Sequence, residues 1–125
     1  MFSLRLILIV IVTIMILDIS WIGFIANAFY QKESSNFAPI FNYAAPLLYI
    51  VMALGFIYFV IQNPSVKTVR DAIYIGAFFG FVLYAVYDLT GLAVVRDYSW
   101  KLSIVDILWG TFLGGVVGGV GKYFA

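Results

Sequence analysis

The chain has 125 residues, of which 65% are hydrophobic and 10% charged, with a formal net charge of +1. A soluble domain carries about 25% charged residues, so this composition calls for a bilayer as solvent, and the near-neutral balance removes any electrostatic case for a nucleic-acid partner. Histidine and cysteine are both absent, which excludes disulfides, thiol nucleophiles, iron–sulfur clusters, ordinary zinc or copper sites and Ser-His-Asp or Cys-His catalysis.

Charges divide the sequence into four apolar stretches, each close to the roughly 20 helical residues that cross ~30 Å of hydrocarbon. Period-two alternation of the kind a membrane β-strand needs is missing from stretches such as Leu6 to Leu17. The predicted fold is therefore an all-α membrane protein: one domain, residues 1–125, with four transmembrane helices in a compact bundle joined by short loops.

The first helix is placed at about residues 4–29, uncharged from Leu6 to Leu17 and carrying Asp18 as its one charge thereafter. Arg5, the apolar run and Ala26-Asn27-Ala28 imitate a cleavable signal peptide, but bulky Trp21 and Phe24 between the run and the cleavage-like triplet favour a retained span. A polar connection, Tyr30 to Ile40, follows. The second helix, about 42–61, starts at Asn42 as N-cap with Pro46 in its first turn, and Gln62-Asn63-Pro64 stops it. Ser65 is available to cap the third helix, about 68–95, whose opening turns carry Lys67, Arg70 and Asp71. Arg96 to Lys101 form a polar turn containing the interfacial types Tyr98 and Trp100, and the fourth helix spans about 102–123.

Arg5, Lys67, Arg70 and Lys122 fall at one end, against Lys32, Arg96 and Lys101 at the other. The Lys/Arg balance places both termini in the cytoplasm, with the protein in the cytoplasmic (inner) membrane.

The residues that invite a function are Asp18, Asp88 and Asp106, each flanked by apolar sequence. Counting 1.5 Å per residue, they lie about 2 Å and 7 Å beyond the middle of their helices and about 10 Å before it, respectively. Antiparallel packing directs all three offsets to one leaflet. An ionised Asp at mid-bilayer costs about 2.5–3.5 kcal/mol, and no Lys, Arg or His lies at comparable depth. Protonation, a bound cation, water or neutral donors must compensate. Helical spacing nominates Tyr84 for Asp88, Trp21 for Asp18 and Trp109 for Asp106, with Tyr87 and Thr90 in support. The expectation is an aromatic-lined acidic cluster open toward the outer side; the alternative is that the acids only hold helices together.

Gly110, Gly114 and Gly118 form GxxxG steps in the fourth helix, as do Gly76 and Gly80 in the third. These are packing faces, within the chain or in a homodimer or larger homo-oligomer.

Asp18-x-x-Trp21-x-Gly23, Tyr84-x-x-Tyr87-Asp88-Leu89-Thr90 and Val105-Asp106-x-x-Trp109-Gly110 together resemble domain-of-unknown-function family 2177. The resemblance covers nearly the whole chain, implies the four-helix architecture and marks the same aspartates and tryptophans. It implies no activity. The family's Tyr-Asp-Leu-Thr motif usually continues with Asn, where this chain has Gly91.

Three functions compete. Transport or permeation of a proton or small cation through the three aspartates suits an all-oxygen site. Binding or conversion of a lipid or other apolar ligand would use the aromatics as walls. A structural or accessory subunit would use the polar groups for packing alone. No catalytic residue is assigned, an enzymatic role is the less favoured, no cofactor is expected, and the metal, if any, is left open.

Overall fold

The computed structural model describes residues 3–21, 23 and 44–125. Among them lie four helices and no strand: α1 Leu4–Ser20, α2 Ala44–Phe56, α3 Val69–Val94 and α4 Trp100–Phe124. The Tyr30–Ile40 connection, the Asn42 cap, Lys32 and the last turns expected of the first helix lie outside the described residues.

Hydroxyl side chains begin three of the helices by accepting an otherwise orphaned backbone N–H. Ser3 accepts from Leu6 N at 3.1 Å, and Ser99 from Leu102 N at 3.1 Å. At α3 the cap is Thr68 rather than Ser65, because Asp71 three residues on completes a capping box. Thr68 Oγ1 accepts from Asp71 N at 3.1 Å, while Asp71 Oδ2 accepts from Thr68 N at 3.2 Å and Lys67 N at 3.1 Å. Those bonds to its ionised form hold the Asp71 carboxyl below its ordinary value.

Pro46 sits in the first turn of α2, where a missing N–H is harmless. The helix widens into a π turn over Ile57–Ile61 and ends where Asn63 folds back, donating to Phe59 O at 3.0 Å and accepting from Ser65 N at 2.9 Å. Trp21 and Gly23 likewise continue α1 in π-type turns.

Each helix is apolar on every side, so packing rather than pattern decides which face turns inward. Leu6, Val10 and Ile14 of α1 meet Tyr49, Ala53, Phe56, Ile57, Val60 and Ile61 of the α2 segment and Leu113 and Val117 of α4 in one core. Leu8, Val12 and Ile16, on the opposite side of α1, are exposed, as are Leu47, Val51, Phe78, Val86, Leu108 and Phe112 elsewhere. A surface of this kind fits lipid, not water.

The helices α3 and α4 pack backbone to backbone. A methyl on Gly76 would strike the Gly114 carbonyl oxygen, one on Gly80 that of Gly110, and one on Gly118 that of Ala72. Gly110 is covered by the Tyr84 ring, and Gly119 lies against Ile73. The helix that fills the glycine groove of α4 is thus α3 of the same chain.

At the far end, Arg5 Nη1 donates to Phe124 O at 3.1 Å and Lys122 Nζ to Ile61 O at 3.2 Å. Both cations meet carbonyl ends of helical segments, where the backbone dipole favours positive charge. α3 and α4, with 26 and 25 residues, are long and apolar enough to cross a membrane. The α2 segment Pro46–Ile61 is apolar but shorter, and α1 has 17 residues.

Candidate functional site

Asp88 and Asp106 each lie six residues from the turn that joins α3 to α4, so both are about 9 Å below it at 1.5 Å per residue. Asp18 lies near the C-terminal end of α1, which runs parallel to α3, so the three acids occupy the same half of the bundle. They are not equally enclosed. Asp88 is 2% exposed, whereas Asp18 and Asp106 are half-buried.

Asp18 and Asp88 each accept from a tyrosine outside their own helix. Tyr49, the one hydroxyl-bearing residue of α2, donates to Asp18 Oδ2 at 2.9 Å. Tyr98, from the interhelical turn, donates to Asp88 Oδ1 at 2.9 Å. Asp106 is within electrostatic reach of both Asp18 and the Tyr98 hydroxyl.

Local backbone geometry explains how Tyr98 reaches Asp88. Asp97 adopts φ 62°, the left-handed region that Asp tolerates better than most residues. This reverses the chain after α3 and turns Tyr98 back along the helix. Its ring then lies on Gly91, where a Cβ would approach ring carbons to 2.6 Å. Gly91 therefore provides space for the phenol at the position where an asparagine side chain was expected from the family pattern. Burial, and then the bond to Asp88, push the Tyr98 phenol above its ordinary value of 10.0, so it remains a donor at neutral pH.

Among the described residues, two buried side-chain polar atoms are left without partners. Asp88 Oδ2 and Trp109 Nε1 are buried and make no hydrogen bond, each at a typical cost of about 1–3 kcal/mol. Trp109 stacks on Trp21, with centroids 4.6 Å apart and planes 9° from parallel. Its N–H is close enough to Asp18 to act on that charge, although out of hydrogen-bonding geometry. The tryptophan expected to serve Asp106 thus faces the acid of α1.

Of the remaining nominated residues, Tyr84 covers Gly110 with its ring. Tyr87 is 67% exposed. Thr90 donates to its own helix at Val86 O, 2.6 Å away. Among the described residues no three acidic side chains stand close enough to share a metal ion.

A family model described as "Predicted membrane protein (DUF2177)" matches residues 3–123. The chain belongs to this family. Neither the curated proteins nor the solved structures give a match. Membership agrees with the motifs read from the sequence, with the all-helical fold and with two helices of membrane-spanning length.

Proposed function

We propose that this protein is a four-span membrane protein whose intramembrane aspartates bind and pass protons. The observation that carries the reading is the two carboxyl–phenol bonds, Tyr49 to Asp18 and Tyr98 to Asp88, with Asp106 within electrostatic reach of both Asp18 and Tyr98. Carboxyl and phenol oxygens can each accept and donate, so such a chain relays protons without histidine. A proton is favoured over a metal cation because no three-acid grouping is found among the described residues.

Four spans are supported by the apolar outward faces of α1 and α2 and by the helical turns at Trp21 and Gly23 that lengthen α1. Both termini then lie on the side of Arg5, Lys67, Arg70 and Lys122, which the positive-inside tendency makes cytoplasmic. A helical rather than barrel fold favours the inner membrane. A second copy belongs to this reading, since four helices are few to enclose a path.

The test is reconstitution into liposomes containing a pH-sensitive dye, with an imposed proton gradient and potential. Wild-type protein should acidify the lumen, and Asp18→Asn, Asp88→Asn and Asp106→Asn should slow it. Absence of flux in the wild type, or equal flux in all four proteins, would refute the proposal.

A further inference from the structure

We propose that Tyr98 is a movable lid over Asp88, and that its swing off Gly91 opens the carboxyl to the aqueous side of the α3–α4 turn. The inference rests on the proton reading for what then arrives; the lid itself rests on geometry.

Asp88 is 2% exposed, and its Oδ2 meets neither a donor nor solvent. In the closed arrangement no water can deliver a proton to that oxygen. The Tyr98 ring spans the helical turn between Gly91 and Asp88, and its hydroxyl holds Oδ1 at 2.9 Å. Tyr98 is itself half-buried and belongs to a short turn rather than to a helix.

One hydroxyl bond and ring contact hold the lid shut, and Asp97 at φ 62° is the hinge position that aims it. The groups that bear electrically on the closed lid are Asp88 and Tyr87 of α3 and Asp106 of α4. All are acids or phenols, so among the described residues no cation locks it. Gly91 is required for closure, because any side chain there occupies the place of the ring.

The experiment is carboxyl labelling of the full chain in nanodiscs with a water-soluble carbodiimide and an amine nucleophile, followed by peptide mass mapping. Asp18 in the same molecule is the internal reference. Relative to Asp18, labelling of Asp88 should rise about fivefold in Tyr98→Phe, the effect of one hydrogen bond, and by more than that in Tyr98→Ala.

Gly91→Ala keeps every atom of Tyr98 yet displaces its ring, and should raise the ratio as well. An unchanged Asp88:Asp18 ratio in Tyr98→Ala and Gly91→Ala would overturn the lid, and so would a parallel rise at both carboxyls, which reports general loosening. Proton flux is read separately in liposomes. A lid response without wild-type flux defeats the proton reading and keeps the lid; flux without a lid response does the reverse.

Discussion

Replacing Gly114 by alanine adds one methyl group at the tightest part of the α3–α4 seam. That methyl would lie 2.9 Å from Gly80 Cα and 3.0 Å from the Gly76 carbonyl carbon, with the Gly76 carbonyl oxygen nearer still. Carbon–carbon contacts are optimal at about 3.5–4.0 Å, and every obstacle is backbone. The helices must therefore separate, and overpacking of this kind costs about 1–3 kcal/mol. Alanine also gains up to about 1 kcal/mol over glycine in helix propensity, which masks part of that loss.

Gly115→Ala removes the ambiguity. It is the adjacent residue in the same helix interior and receives the same propensity gain, but its Cβ meets Ile73 O at 3.5 Å and Ala77 Cβ at 3.6 Å, ordinary contact distances. The difference between the two variants isolates the seam, and Gly114→Ala should be the less stable by about 1–3 kcal/mol. Unfolding by sodium dodecyl sulfate in mixed micelles, followed by far-ultraviolet circular dichroism, measures it. Gly80→Ala combined with Gly114→Ala should cost less than the sum of the two, because one separation of the helices relieves both clashes. Equal stabilities for Gly114→Ala and Gly115→Ala would refute backbone contact at the seam.

Tyr49→Phe removes the bond to Asp18 and should destabilise the bundle by about 0.6 kcal/mol, the average for hydrogen bonds in one membrane protein; the same loss should vanish in an Asp18→Ala background, which has no side-chain acceptor. The parallel Trp21 and Trp109 rings should give an exciton couplet in circular dichroism, abolished by Trp21→Phe and by Trp109→Phe alike. The Asp71 carboxyl is held below its ordinary 3.8 in the folded chain, so its stabilisation of the α3 N-terminus is present above that pH and is lost as pH falls through the lower folded value. Protection of the Lys67 and Thr68 amides from hydrogen exchange, relative to the intrinsic rate at each pH, should fall on acidification in the wild type and be low throughout in Asp71→Ala.

Element boundaries were legible wherever backbone chemistry forced them. Gln62-Asn63-Pro64 ends the α2 segment at Ile61 as proline placement implies; the polar turn expected over Arg96 to Lys101 closes earlier, because Ser99 caps α4 and takes Trp100 and Lys101 into its first turn. The choice of cap at α3 was not, because Ser65 and Thr68 are both competent and only the reciprocal bond from Asp71 separates them. Three acids in one half of the bundle followed from helix direction and residue counting. The tyrosine donors to Asp18 and Asp88 were not legible, since i+3 and i+4 spacing sees one helix at a time, whereas Tyr49 and Tyr98 approach from elsewhere in the fold. Tyr49 is one of three tyrosines between residues 42 and 61, with Tyr43 and Tyr58, and composition does not single it out. Tyr98 needed knowledge of a left-handed turn at Asp97 and of the space above Gly91, which no periodicity encodes.

The two ends of the bundle are fastened by different chemistry. At one, the permanent charges of Arg5 and Lys122 rest on carbonyl dipoles of Phe124 and Ile61. At the other, phenols rest on acids that can gain or lose a proton. The base of the bundle is thus held by charge on backbone dipoles and the opposite end by neutral donors on carboxyl oxygens, two kinds of tie that a single change of solvent does not loosen together.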